Sequence, residues 1–486
     1  MLNVAAVFSN HMVLQRQKPI AVFGEADGPV KVSLAGAGAE AAPVNGRFEA
    51  FLPPMEAGGP FELKVTCGGE TRAFSDVMVG EVWLCGGQSN MEFMLMNDRH
   101  GARQVAEGDD ALLRFYTVNQ EGKIDEAMLA RERATAWKPL SPGACGDVSA
   151  VACYAGQMLR ERLGVAVGML ICCVGGTEAC CWVPGEALRE FPEGRAKLAE
   201  FERNVEGITE EMFERADAEY RARVDAWCAV ADAMKRADAN VRAEQIIAKA
   251  GDFPWPPPTG PHMLRRPGGL WENMTARITP YTARGLFWYQ GETDSGNPGA
   301  YPAMFTQLIR RWRQGFRDDG LWVVAAQLPG FGADPAQEDW PGIRGAQQAV
   351  CDSVPGCALA CLLDLGERND IHPWDKRPAA RRMAALALEK AYGLEPPESA
   401  EAPRLVSAGR DGDAVVLRFS RPIHVSGDPS GLTVNGGPAA GLLVGDGALR
   451  LDAPAGARVA YAQENWPEVC LYGDNGLPAF PFEIEV

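Results

Sequence analysis

Hydrophobic positions follow different rhythms along the chain. From Val4 to about Val79, apolar and polar residues alternate in short segments broken by glycine and proline, as in Val30-Lys31-Val32-Ser33-Leu34 and Phe61-Glu62-Leu63-Lys64-Val65. A period of two between turn residues predicts a small β-sandwich module over residues 1–79. Unbroken apolar runs then take over, at Val82 to Cys85, Val167 to Val174, Leu286 to Tyr289, Leu321 to Leu328 and Ala358 to Leu363. Helically spaced segments lie among them, at Val151 to Leu163, Tyr301 to Phe316, Ile343 to Cys351 and Lys376 to Tyr392. Runs apolar on both faces suit a parallel sheet covered by helices on each side, so an α/β domain is predicted over 80–393. Such sheets bind ligands at the carboxyl ends of their strands, and the loops after these runs are where chemistry is expected.

One stretch interrupts the alternation. Over about 185–260, Tyr220, Val224, Trp227, Val230, Met234 and Val241 recur at helical spacing among many charges, before the proline-rich Pro254-Trp255-Pro256-Pro257-Pro258. This predicts an inserted helical hairpin. A second break at Leu394 to Pro403 reads as a linker, and short segments such as Ala414-Val415-Val416-Leu417-Arg418-Phe419 predict a β-rich module over 404–486.

Composition narrows the partners. The 64 acidic and 47 basic side chains leave a net charge of −17, which repels nucleic acid and anionic membrane surfaces. No segment approaches the roughly 20 apolar residues of a membrane span. The first residues carry neither a basic leader nor a long apolar stretch, so a cytoplasmic location is expected for the chain as written. The 13 cysteines include several inside apolar runs, and five histidines with no Cys-x-x-Cys give little to bind a metal. Free buried thiols, no metal and no cofactor are expected.

The chemistry-bearing residues sit where the sheet predicts. The first apolar run ends in Gly86-Gly87-Gln88-Ser89-Asn90-Met91, which holds a serine behind a glycine turn. It reads as a nucleophile, whose own amide begins an oxyanion hole, or as a helix cap. A nucleophilic serine needs a base. Of the five histidines, His372 alone directly follows an apolar run, and Asp370, two residues earlier, is placed to orient its imidazole or to cap a turn. Gly175-Gly176-Thr177 after Val174, and Gln290-Gly291-Glu292 after Tyr289, offer oxyanion donors or plain turns. Gln88, Asn90, Thr177 and Glu292 are candidate substrate contacts, and Glu292 reads alternatively as a buried orienting acid or a helix cap. Arg99 and Arg344 are the arginines considered for an acidic substrate.

These blocks in this order resemble the sialate O-acetylesterase family of the SGNH-hydrolase superfamily. The resemblance rests on Gly-Gln-Ser-Asn-Met at 87–91, Gly-Gly-Thr at 175–177, Trp-Tyr-Gln-Gly-Glu at 288–292 and Asp-Ile-His-Pro at 370–373. Met12-Val13-Leu14-Gln15 and Gly476-Leu477-Pro478-Ala479 extend it over nearly the whole chain. It implies a flavodoxin-like parallel sheet and a serine esterase that removes O-acetyl groups from sugars, above all sialic acids, through an acetyl-enzyme. Ser89 is then the nucleophile, His372 the base and Asp370 its partner, with oxyanion donors from Ser89, Gly175 or Gly176, and Gln290. The chain departs from the family at Cys85-Gly86, at Asn369 where the wider superfamily often has its acid, and at Glu178-Ala179-Cys180-Cys181-Trp182. An acetyl esterase for xylo-oligosaccharides shares the same residues, and a non-catalytic carbohydrate-binding protein is the reading from another class.

Overall fold

A strand of 18 residues, β1 (Glu70–Gly87), runs from the amino-terminal sheets into the centre of the protein, as a computed structural model describes it. Residues 1–238, 241–396, 400–445 and 447–486 are described. Ala239 and Asn240 of the insertion, Pro397, Glu398 and Ser399 of the expected linker, and Asp446 lie outside the described residues.

The two halves of β1 differ because their neighbours differ. Residues 70–76 are mostly exposed, with Glu70 to Phe74 paired antiparallel to Leu63 to Cys67, whereas every residue from Val77 to Gly87 is buried. The buried half lies at the middle of a sheet with β2 (Asp110–Thr117), β3 (Lys138–Leu140), β4 (Val167–Cys173), β5 (Gly285–Tyr289), β6 (Trp322–Ala326) and β7 (Cys357–Ala360). Their order is β3-β2-β4-β1-β5-β6-β7, and all neighbours are parallel except the edge strand β3. The apolar runs of the sequence thus form β1, β4, β5, β6 and β7. The strand β2 carries no unbroken run, because Arg114 interrupts it. That side chain is buried and satisfied by the carbonyls of His11 and Asp76, at 2.9 and 2.6 Å.

Helices cover the sheet. Ser149 caps α2 (Ala150–Leu163) by accepting from Ala152 N–H, and Gly164, at φ 66°, ends it in the left-handed region. Later in the chain come α6 (Tyr301–Gly315), α7 (Trp340–Ser353) and α8 (Arg377–Tyr392), and α8 packs beside α2. None of the described helices is long and apolar enough to cross a membrane.

A buried charge joins the amino-terminal strands to the sheet. Glu81 on β1 accepts from Arg16 Nε at 2.6 Å, Arg284 Nε at 3.1 Å and the Tyr392 hydroxyl at 2.9 Å. Burial alone raises its pKa, but the hydrogen bonds and charges of Arg284 and Arg16 outweigh that and hold the carboxyl below its ordinary value. At the other end, short carboxy-terminal strands form two four-stranded sheets and one strand pair. They meet the central sheet at α7, where the buried Arg344 donates to the carbonyls of Ala462 and Glu464.

The insertion is helical, as its periodicity predicts, with α3 (Pro192–Val205), α4 (Glu210–Ala237) and α5 (Ala243–Ala250). Only Tyr220 of the expected stripe is buried; Val224, Trp227, Val230 and Met234 are half-buried. The segment reaches over the strand ends. Lys235 Nζ donates to Asn97 Oδ1 at 2.9 Å, and Arg242 pairs with Glu367 while its guanidinium lies 4.4 Å from the Trp374 ring centre. All thirteen cysteines are free thiols, most of them buried.

Candidate active site

Close strand packing explains the glycines before Ser89. A Cβ on Gly86 would lie 3.0 Å from the Trp288 ring. On Gly87, at φ 133°, it would lie 2.1 Å from the Tyr289 carbonyl oxygen. Only glycine fits that second position, in space and in backbone conformation. The chain then turns into α1 (Ser89–Glu92). Gln88, not Ser89, is the cap residue, and it makes no side-chain cap bond. The helix-cap alternative for the serine therefore fails. Among the described residues, neither Ser89 Oγ nor Ser89 N–H has a hydrogen-bond partner.

The strands on either side bring the other blocks alongside. Cys173 of β4 and Tyr289 of β5 both pair with Gly87, so the loops that follow all open beside Ser89. A Cβ on Gly175 would lie 3.4 Å from Ser89 Cβ. Gly175 N–H donates to Glu92 Oε2 at 2.5 Å, while Gly176 N–H has no acceptor among the described residues. Gln290 is placed differently from the sequence expectation. Its amide is fully buried and donates to Thr177 O at 3.0 Å and Asp294 Oδ2 at 2.6 Å, which leaves no side-chain N–H for an oxyanion. A buried amide must satisfy its protons somewhere, and these nearby acceptors take both. Burial raises the pKa of Asp294 to about 7.

The residues read as substrate contacts serve the scaffold. Gln88 donates to Thr293 Oγ1 at 3.1 Å and Thr177 donates to Val174 O at 2.8 Å; both are buried. Asn90 is more informative. Its Nδ2 donates to Glu292 Oε1 at 2.5 Å and to Ile371 O at 3.1 Å, and its Oδ1 accepts from Lys376 Nζ at 2.5 Å. The residue after Ser89 is thereby tied to the residue before His372. Burial pushes the Lys376 ammonium down to about 7, against the nearby carboxylates, and raises Glu292 above the usual carboxylate range. Sequence reasoning missed Lys376, because a lysine at a helix start carries no sign of burial.

His372 follows β7 and packs near Phe93, with ring centres 6.5 Å apart. Burial, aided by the charge of Lys376, lowers its pKa to about 4, so the imidazole is neutral near pH 7. Asp370 Oδ1 accepts the backbone N–H of His372 at 2.9 Å and lies 3.9 Å from Nδ1, too far for a hydrogen bond. Asp370 therefore shapes the loop in this structure, the turn-capping alternative of the sequence reading, and does not hold the imidazole that it was expected to orient. Its own pKa is raised by burial.

The arginines considered from the sequence lie elsewhere: Arg344 serves the carboxy-terminal junction, and Arg99 is exposed. A third one stands at the site. Arg265 Nε donates to Gly175 O at 2.8 Å, and its guanidinium lies 5.4 Å from the Trp255 ring centre.

Comparison with known proteins agrees with the family resemblance. A family model described as carbohydrate esterase, sialic acid-specific acetylesterase matches residues 256–375, the stretch that contains Gln290, Asp370 and His372. The rat (Rattus norvegicus) sialate O-acetylesterase is 27% identical over 435 residues, covering 80% of this chain and 73% of the relative. The human (Homo sapiens) sialate O-acetylesterase is 26% identical over 432 residues, covering 80% of this chain and 71% of the relative. A carbohydrate acetylesterase from Xanthomonas citri, known from a crystal structure, superposes with a TM-score of 0.76 at 25% identity, covering 99% of each chain. The resemblance to sialate O-acetylesterases read from the sequence is borne out, the fold is α/β, and the chain is a carboxylic ester hydrolase.

Proposed function

We propose that this ester hydrolase removes O-acetyl groups from sugars, most of all from O-acetylated sialic acids, with Ser89 as nucleophile and His372 as general base. One observation carries the reading. A serine hydroxyl with no hydrogen-bond partner among the described residues stands just past the end of the central strand, and the next residue, Asn90, is fastened to the histidine loop. Strand-end placement and a neutral imidazole are what nucleophilic catalysis by serine needs.

In this reading His372 takes the Ser89 proton as Oγ attacks the acetyl carbonyl, and the oxygen that gains charge turns to the backbone N–H groups of Ser89 and Gly176. The tetrahedral adduct collapses, the sugar oxygen leaves with the proton from His372, and an acetyl ester remains on Ser89. Water, deprotonated by the same imidazole, hydrolyses that ester and releases acetate. Gly175 N–H joins the oxyanion site once the Glu92 carboxylate moves off it. Asp370 positions the loop that carries His372.

The state of the imidazole sets an expected pH profile. His372 acts as a base only when neutral, and with its pKa near 4 the base form persists through mildly acidic pH. Activity is expected to fall only as pH drops toward that value. The kcat/KM for p-nitrophenyl acetate is expected to keep more than half its maximum at about pH 5.5. An acid limb with its midpoint at about 6.5, the ordinary histidine value, would contradict the assigned environment.

The sugar is tested by acetate release from 9-O-acetyl sialic acid beside acetylated xylo-oligosaccharides. A kcat/KM at least about tenfold higher on the sialic acid supports the reading, and a preference for the xylo-oligomers contradicts it.

A further inference from the structure

A cavity of about 240 Å³ opens beside Gly176, and its walls come partly from the insertion and the proline-rich segment after it. Trp255, Met263, Arg265, Glu178 and Lys197 line it, and Thr293 and Gly176 connect it to the strand ends beside Ser89. The proline-rich run brings Trp255 very close. A Cβ on Gly176, at φ 63°, would lie 2.2 Å from the edge of that ring, so the indole rests directly over the glycine.

Arg265 is built into this wall. Its Nε is fixed on Gly175 O, and Trp255 covers its guanidinium. Its terminal nitrogens have no hydrogen-bond or ion-pair partner among the described residues. Lys197, which also lines the cavity, pairs with Glu178 and Glu200, and Arg266, the residue after Arg265, pairs with Glu272. Tyr220, Glu92, Cys181 and Asp217 lie near enough to favour the Arg265 charge, although desolvation weakens it. A guanidinium held at one nitrogen and open at the other two presents a fork suited to a carboxylate.

We propose that Arg265, backed by Trp255, binds the carboxylate of an acidic sugar, so that the sugar lies in the cavity beside Gly176 and Trp255 with its acetyl ester turned toward Ser89. The net charge of −17 gives such a substrate no long-range attraction, so a local cation must supply its recognition. This subsite rests on the serine-esterase reading for its reaction, and its binding is measurable without turnover.

Two measurements on the full chain test it. In the first, free N-acetylneuraminate is titrated into the Ser89→Ala protein and into the same protein carrying Arg265→Gln. Arg265→Gln is expected to weaken binding at least about thirtyfold, and Arg265→Lys to recover only part of it, because the ammonium lacks the fork. In the second, wild type and Arg265→Gln are compared on 9-O-acetyl-N-acetylneuraminate, its carboxyl methyl ester and p-nitrophenyl acetate. KM for the free acid is expected to rise at least about tenfold more than KM for the methyl ester or p-nitrophenyl acetate, while any loss in kcat from the freed Gly175 carbonyl is shared by all three substrates. Equal binding with and without Arg265, or an equal change in KM on all three substrates, overturns the subsite. If the substitution weakens N-acetylneuraminate binding while the wild type hydrolyses no ester, the subsite stands and the serine-esterase reading fails.

Discussion

An enzyme carrying Ser89→Ala is expected to lose at least about 10⁴-fold in kcat on p-nitrophenyl acetate, since removing the nucleophile of an acyl-transfer enzyme leaves only binding and oxyanion contributions. The fold tolerates the change well. Ser89 Oγ makes no hydrogen bond among the described residues, and the cap position belongs to Gln88, so no buried partner is orphaned. The thermal midpoint is expected to stay within about 2 °C of wild type, as for substitutions that break no packing or cap. A stable variant with undiminished turnover would remove Ser89 from the chemistry.

His372→Ala carries the second large effect, with an expected loss of about 10³- to 10⁴-fold in kcat. The size follows from its task in both half-reactions, since the imidazole accepts the serine proton in the first and the water proton in the second. Asp370→Asn is expected to behave otherwise. In a triad whose acid holds the imidazole, that exchange costs about 10⁴-fold because it imposes the wrong tautomer. Here Asp370 accepts the His372 backbone N–H and stays 3.9 Å from the ring nitrogen, and an asparagine oxygen can accept the same bond. A loss of only about tenfold is expected. The comparison is made by kcat on one substrate for the two variants. Equal losses would place the Asp370 carboxylate on the imidazole during turnover and contradict the positioning role.

Much of this site was readable before the fold, for a physical reason. Parallel strands buried on both faces write themselves as apolar runs, and ligands gather at their carboxyl ends, so Ser89 and His372 stood out by position. The strand Asp110–Thr117 escaped the same test because Arg114 breaks its run. Its charge is accommodated by the Asp76 carboxylate and by backbone carbonyls about 40 and 100 residues earlier in the chain, which local pattern cannot reveal. The Gln290 side chain shows the reverse failure. Its place after a strand suggested a donor facing the reaction, yet Asp294 lies four residues on and takes the amide proton inward.

Residues defined by long-range contact were the least legible. Lys376 gains its role by reaching Asn90, and Arg265 by reaching Gly175, and neither spacing nor composition marks such pairs. The insertion's periodicity announced helices, but Lys235 on Asn97 and Arg242 on Glu367 depend on how those helices cross the strand ends. Its charges thereby hold the loop that follows Ser89 and the loop that precedes His372, where sequence alone showed an amphipathic hairpin.

The central claim is that Ser89 forms a covalent acyl adduct through His372. The most direct measurement is intact-protein and peptide mass spectrometry after treatment with a serine-reactive fluorophosphonate. The account predicts a single adduct on the peptide containing Ser89, none in Ser89→Ala, and slow labelling in His372→Ala. Full hydrolytic activity with Ser89 unlabelled, or an adduct on another residue that accounts for the inactivation, would contradict it.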